Sequence, residues 1–178
     1  MKVVDMHCDT IAALYENKEK GWTLQDNRLH IRLDKMKQGD YLLQNFALFV
    51  CIENCEDPYQ QALSLAVCNL TDDMIRLLAE KGGVTGLNFC PSFLNAQKDY
   101  PGTAADVARH AAHIIKVGGE DCLGLGSDFD GIRTHAELPG ADAMPVLEDA
   151  LAKAGLTARQ RDKVMGENVL RVYREVLG

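Results

Sequence analysis

The sequence lacks the long apolar runs, the basic excess and the secretory leader that would link it to a membrane or a nucleic acid. No hydrophobic run in its 178 residues approaches the roughly 20 that a transmembrane helix needs. Lys and Arg number 19 against 26 Asp and Glu, a formal charge of −7, whereas nucleic acids and anionic membranes attract clustered Lys and Arg. Residues 1–5 carry an acid almost at once and show no apolar signal-peptide core. We therefore expect a soluble, cytoplasmic protein with no nucleic-acid partner and no membrane insertion.

Several short catalytic signatures are also missing. The sequence contains no GxSxG nucleophile elbow, no GxxxxGK[ST] phosphate loop and no HExxH zinc helix. The pair Gly124 and Gly126 is not a dinucleotide fingerprint, because the third glycine and the following helix start are absent. Serine-hydrolase, P-loop and Rossmann chemistry are therefore set aside.

Six cysteines are present, but none forms a CxxC pair. A disulfide framework is not expected in a chain of this length without a secretory leader. Cys51 and Cys55 are four residues apart and could share a helical face that holds a soft metal. The favoured alternative is that the thiols act as small buried hydrophobes, above all Cys90 and Cys122 within apolar runs.

The order of the apolar segments predicts an α/β protein. Hydrophobic residues make up 47% and charged residues 25%, which is typical of a globular domain, and we expect a single domain over 1–178. Strands are predicted at 2–6, 41–52, 84–90 and 122–126. Helices are predicted at 11–20, 58–66, 71–81, 103–117, 144–154 and 158–177. Strands alternating with helices favour a parallel sheet, and chemistry in such sheets collects at the carboxyl ends of the strands.

The first polar cluster at a strand end is His7-x-Asp9. Alternate residues of an extended segment share a face, so an imidazole nitrogen and a carboxylate oxygen point the same way. Such a pair is a fragment of a zinc or related divalent site. The alternative is a hydrogen-bonded pair that orients a loop.

The second cluster is Asp128 and Asp130, just past the last predicted strand and before Gly131. Two carboxylates there can bind a metal, accept a proton or cap the turn. Asp128 is the favoured functional residue because it lies nearer the strand end, whereas capping is the alternative for Asp130. The other histidines are not given a site: His110 and His113 share a helical face, while His30 and His135 lie in loop-like sequence.

Five segments, in order along the chain, resemble signatures of the membrane dipeptidase family, the renal dipeptidase-like peptidases of family M19. The segments are VDMHCDT (4–10), NLTDD (69–73), GVTGLNF (83–89), GLGSDFDG (124–131) and GENVLRV (166–172). The resemblance implies a (β/α)8 barrel with two zinc ions at the strand carboxyl ends. It also implies hydrolysis of dipeptides, often with tolerance of a D-residue at the carboxyl side.

The resemblance also assigns roles to individual residues. His7 and Asp9 match metal ligands of the first strand. Asp128 matches the acidic residue of the last strand, which faces substrate and takes part in proton transfer. Asp128 and Asn88 are the expected substrate-binding residues.

The chain departs from the family in its length. Family members are about twice as long, and 178 residues falls below the roughly 200 at which complete barrels begin. The missing stretch would fall between about 62 and 69, beside Cys68, and in the family it carries the bridging glutamate and two histidine ligands. We therefore expect an incomplete TIM barrel with about four parallel strands.

Three interpretations follow. The chain is a zinc metallodipeptidase, with at most one ion clearly supported by its own residues. Alternatively, it is a catalytically impaired or inactive α/β scaffold that retains part of the metal site. A homodimer is a further hypothesis, because four strands from each of two copies would give eight.

Overall fold

The computed structural model describes residues 2–46, 70–94 and 101–177. Four short strands in these ranges form one parallel sheet: β1 (Val3–Asp5), β2 (Tyr41–Gln44), β3 (Thr85–Leu87) and β4 (Leu123–Leu125). Their order is β2-β1-β4-β3, so the first strand lies beside the last. Adjacent first and last strands are the arrangement of a sheet that closes into a barrel. The prediction of four parallel strands is confirmed.

Helices follow the strands or connect them. The described α-helices are α1 (Thr10–Glu16), α2 (Leu33–Gln38), α3 (Asp72–Glu80), α4 (Pro91–Leu94), α5 (Ala104–Gly118), α6 (Met144–Lys153), α7 (Ala158–Asp162) and α8 (Asn168–Leu177). Short 3-10 turns occupy Lys18–Lys20 and Ala141–Ala143. The helix predicted for 158–177 is interrupted by a π-helical turn at Lys163–Glu167.

Threonine caps determine where three helices begin. Thr71, Thr103 and Thr157 accept hydrogen bonds from backbone N–H groups in the first turns of α3, α5 and α7. These bonds satisfy donors that a helix N-terminus otherwise leaves unpaired. The predicted helix starts at 71, 103 and 158 are therefore explained by cap residues at Thr71, Thr103 and Thr157.

Buried apolar side chains from the sheet and from α5 and α6 form one continuous cluster. Phe89, after β3, meets Phe129, after β4, edge to face with ring centroids 5.6 Å apart. This aromatic contact lies where the polar residues follow the strands. The hydrophobic core thus extends to the carboxyl edge of the sheet.

The thiol predictions are only partly covered by the described ranges. Cys122 is buried and Cys90 is half-buried. Cys51, Cys55, Cys68 and the helix predicted at 58–66 lie outside the described residues. Within the described ranges, no helix combines the length and the apolar character needed to cross a bilayer.

Candidate metal centre

His7, Asp9 and Asp128 converge at the carboxyl edge of the sheet. His7 and Asp9 follow β1, and Asp128 follows the neighbouring β4. The His7 Nε2 atom lies 3.2 Å from Asp128 Oδ1 and 3.7 Å from Asp9 Oδ1. One ligand atom from each residue lies within 4.8 Å of the other two. The structure therefore brings together three of the residues predicted from the sequence.

Backbone hydrogen bonds extend the β1–β4 pairing beyond the strands. Asp128 N donates to His7 O at 3.1 Å, and Asp9 N donates to Phe129 O at 2.8 Å. A further bridge pairs Cys8 with Phe129. Because both segments continue side by side, the two polar clusters are held opposite each other.

The turn after β4 has an unusual backbone. Asp128 and Asp130 have φ values of 62° and 69°, a left-handed conformation that side chains other than glycine rarely adopt. At Gly131, a Cβ atom would overlap Asp9 Oδ2 and lie 2.6 Å from Asp128 Oδ1. The missing side chain at Gly131 is thus what allows the two carboxylates to approach.

The donor set fits a single divalent cation. Asp9 Oδ1 is buried and has no hydrogen-bond partner among the described residues, and an unsatisfied buried oxygen of this kind is costly. Burial raises the pKa of Asp9, and nearby Asp128 and Asp130 raise it further, whereas His7 lowers it. A cation would satisfy the oxygen and relieve the repulsion. Imidazole nitrogen and carboxylate oxygen are both ligands of zinc.

Asn88, predicted to bind substrate, contacts Asp128 in the structure. Its Nδ2 donates to Asp128 Oδ2 at 3.0 Å, and its Oδ1 accepts from Cys90 N at 2.8 Å. The second bond fixes the orientation of the amide. Among the described residues the second Nδ2 hydrogen has no acceptor, and its use by substrate stays a prediction.

Asp5 and Ser127 form a buried link that sequence reasoning missed. Asp5 Oδ1 accepts from Ser127 N at 2.9 Å and from His7 N at 3.3 Å, while Ser127 Oγ donates to Asp5 Oδ2. Complete burial raises the pKa of Asp5, and the bonds from Ser127 and His7 oppose that rise. Both residues stand in the quoted segments, VDMHCDT and GLGSDFDG, which is the signal that could have identified them.

Asp130 does not join the group of three ligands. Its fully buried carboxylate accepts hydrogen bonds from the backbone of His30 and Ile31 and from Thr10 Oγ1. Although burial acts to raise the pKa of Asp130, the bonds from His30 and Thr10 hold it below its usual value. His30, to which the sequence assigned no role, is therefore part of the support of this turn.

The paired histidines of α5 lie elsewhere. His113 Nε2 is 2.8 Å from Asp72 Oδ1 on the surface, and His110 Nε2 is 3.1 Å from Leu94 O. His110 and His113 thus have separate partners within the described part of the chain.

Comparison with known proteins identifies the family. Residues 58–177 match the family described as membrane dipeptidase, peptidase family M19. An uncharacterized dipeptidase of Schizosaccharomyces pombe is 37% identical over 111 residues, covering 60% of this chain and 26% of that protein. The chain spans less than half the length of the curated relatives it matches.

Two solved structures are similar in fold. A metallopeptidase from Rhodobacter sphaeroides, liganded with a phosphinate mimic of the dipeptide L-Ala-D-Ala, has a TM-score of 0.56 and 32% identity over 60% of this chain and 31% of that one. A dipeptidase described as a family M19 metallopeptidase has a TM-score of 0.78 at 18% identity, covering 97% of both chains, a likeness of fold alone. With its parallel sheet and the match over residues 58–177, the chain belongs to the membrane dipeptidase family, M19, and has part of a TIM-barrel-like fold.

Proposed function

We propose that this chain binds one zinc ion with His7 and Asp9 and takes part in the hydrolysis of dipeptides, with Asp128 as the proton carrier. The observation that carries the proposal is the convergence of three ligand atoms within 4.8 Å. The buried Asp9 Oδ1, which has no hydrogen-bond partner among the described residues, adds to it. Membership of a metallopeptidase family supports the same chemistry.

Each residue has a distinct task in this proposal. When bound, the ion supplies Lewis acidity toward the scissile carbonyl and lowers the pKa of a water molecule. His7 and Asp9 hold the ion. Asp128, fixed by its bond from Asn88, exchanges a proton with the leaving amine. The free Nδ2 hydrogen of Asn88 orients the substrate.

The proposed substrates are dipeptides, including those with a D-residue at the carboxyl side. The Rhodobacter sphaeroides relative, 32% identical to this chain over the matched part, is liganded with a mimic of L-Ala-D-Ala.

A second candidate is an α/β scaffold that keeps part of the metal site but has impaired catalysis or none. The observation in its favour is that the described residues bring three ligands together, whereas two bridged ions require more.

Metal stoichiometry separates these candidates. Wild type, His7→Ala and the control His113→Ala, purified without chelator, are measured by elemental analysis and then assayed on L-Ala-D-Ala and L-Ala-L-Ala. His113 is a matched control because it is an exposed histidine with a surface ion pair to Asp72.

We expect about one zinc per chain in wild type and in the control, and almost none in His7→Ala. One ion with hydrolysis supports the proposal. One ion without hydrolysis supports the scaffold, and no ion in wild type rejects metal binding at these residues.

A further inference from the structure

We propose that His30 is a positioning residue of the candidate metal centre. It holds Asp130 in place and thereby orients the Asp128 carboxylate. We call the two-way contact between His30 and Asp130 the clasp. The inference rests on the proposed function, because it concerns the same site. His30 contacts none of the three converging ligand groups in the described structure, so any effect on them acts through the turn.

The clasp is reciprocal. His30 N donates to Asp130 Oδ1 at 2.6 Å, and Asp130 N donates to His30 Nδ1 at 3.0 Å. Nδ1 also lies 3.0 Å from Asp130 Oδ1, but the backbone N–H of His30 already donates to that oxygen. We therefore assign Nδ1 as the acceptor of the Asp130 N–H and the ring proton to Nε2, which lies 3.3 Å from Thr134 Oγ1. The ring and the backbone of one residue therefore hold the carboxylate and the backbone of the other.

The clasp is anchored on both sides. His30 O accepts from Ala141 N at 3.3 Å, which fixes the His30 loop to the Ala141–Ala143 turn. On the other side, the Asp130 carboxylate also accepts from Thr10 Oγ1, at the first residue of α1 and next to Asp9. Asp130 thus joins the His30 loop, the start of α1 and the turn after β4.

The backbone of this turn explains why such an anchor matters. A left-handed φ at a residue other than glycine costs on the order of 1 kcal/mol or more and persists only when the surroundings enforce it. Asp128 and Asp130 both have such values. Asp128 is held by the Asn88 bond and by its contact with His7, whereas Asp130 is held by the clasp. Without the clasp, the turn is free to relax and Asp128 Oδ1 moves away from His7.

The ring also packs on Phe129, with centroids 5.8 Å apart, so the test must separate packing from hydrogen bonding. His30→Phe keeps an aromatic ring and the backbone N–H but removes the acceptor. His30→Asn loses the ring but offers Oδ1 in the place of Nδ1. His30→Phe therefore removes the hydrogen bond and keeps the ring packing, whereas His30→Asn removes the ring packing and keeps the hydrogen bond.

Cobalt(II) titration, followed by visible absorption, measures the effect on the site. Loss of a residue that orients metal ligands typically costs about 10- to 100-fold in affinity. Because Asp130 also holds Thr10, next to the proposed ligand Asp9, we expect His30→Phe to fall in that range with an altered spectrum. His30→Asn should restore both the affinity and the spectrum. Wild-type binding in His30→Phe, or equal loss in both variants, would overturn the role of the acceptor.

A metal-free readout keeps this inference separate from the proposed function. Exchange of the Asp130 amide hydrogen should be about tenfold faster in His30→Phe and near wild type in His30→Asn. In wild type itself, long-range proton–nitrogen NMR spectra should show Nδ1 of His30 without a proton. If wild type binds no cobalt, metal binding fails and these measurements still decide the clasp. A proton on Nδ1, or unchanged exchange in His30→Phe, overturns it.

Discussion

His7 Nε2 lies 3.2 Å from Asp128 Oδ1, although one residue follows the first described strand and the other follows the last. The contact exists because β1 and β4 are neighbours and their backbones stay paired beyond the strand ends. The position of His7 and Asp9 relative to Asp128 therefore depends on the pairing of β1 with β4. Changes at either strand end should affect the same candidate centre.

Asp128→Asn should separate metal binding from catalysis. Asparagine keeps the size of the side chain and can still accept the Asn88 hydrogen bond, but it cannot carry a proton. We expect zinc content near that of wild type and dipeptide hydrolysis lower by about 100- to 10,000-fold. Asp149→Asn, at an exposed ion pair with Lys153, is the control and should change neither value. Loss of zinc together with activity would make Asp128 a required ligand instead.

Gly131→Ala should disrupt the centre without a comparable loss of stability. The new Cβ would overlap Asp9 Oδ2, so the two carboxylates must move apart, and we expect metal affinity to fall by at least about tenfold. Gly155→Ala is the control, because it should lower stability without changing metal affinity. Its φ of 92° makes the substitution cost on the order of 1–2 kcal/mol, but no heavy atom lies within 4 Å of its Cβ. Cobalt titration measures metal affinity and urea unfolding measures stability in both variants. Normal metal affinity in Gly131→Ala together with reduced affinity in Gly155→Ala would contradict the assignment.

The sequence predicted the converging residues better than their supports. Strand alternation placed His7 and Asp9 on one face, and the strand-end rule for parallel sheets placed Asp128 nearby. The contact between His30 and Asp130 had no such signal. It joins a loop to a turn far away in the chain, and neither periodicity nor local spacing reports a tertiary contact between irregular segments.

The burial of His135 was likewise not predictable from the local sequence. The sequence placed it in a loop without a partner, yet it is 3% exposed, and neither ring nitrogen has a hydrogen-bond partner among the described residues. A loop-like composition indicates the absence of regular structure, not exposure to solvent. The ring lies beside Gly102, close to the start of α5.

Burial of His135 predicts loss of stability in acid. Burial lowers the pKa of His135, and the nearby carboxylates of Glu137 and Asp106 oppose that shift. With the folded-state pKa below the unfolded value near 6.5, the unfolded chain takes up the proton first, so the free energy of unfolding falls as pH drops below about 6.5. The contribution is at most about 1.4 kcal/mol per pH unit.

His135→Leu should remove this contribution. Urea unfolding at pH 7.5 and 5.5 should show a smaller decrease for the variant than for wild type. Equal decreases would mean that the ring is accessible to protons in the folded state. His113→Ala, at an exposed histidine, is the comparison for a general histidine effect.

Cys8 should resist alkylation in the folded protein. Burial raises the pKa of its thiol to about 12, so very little reactive thiolate exists at pH 8. Peptide mapping after brief treatment with iodoacetamide should find Cys8 and the buried Cys122 unmodified, with both modified after unfolding in urea. Rapid labelling of Cys8 in the native protein would show that the strand end beside the candidate centre opens.

The position of β1 between β2 and β4 also affects how the protein emerges from the ribosome. β1 leaves the exit tunnel before its two partners and can pair early with β2, but β4 follows only after the chain has reached Leu125. At about 5–20 residues per second, the intervening residues take about 6–24 seconds to synthesise. During that interval one edge of β1, the Asp5 carboxylate, His7 and Asp9 lack the partners that β4 and the turn after it supply, so the unpaired strand edge is open to pairing with another chain.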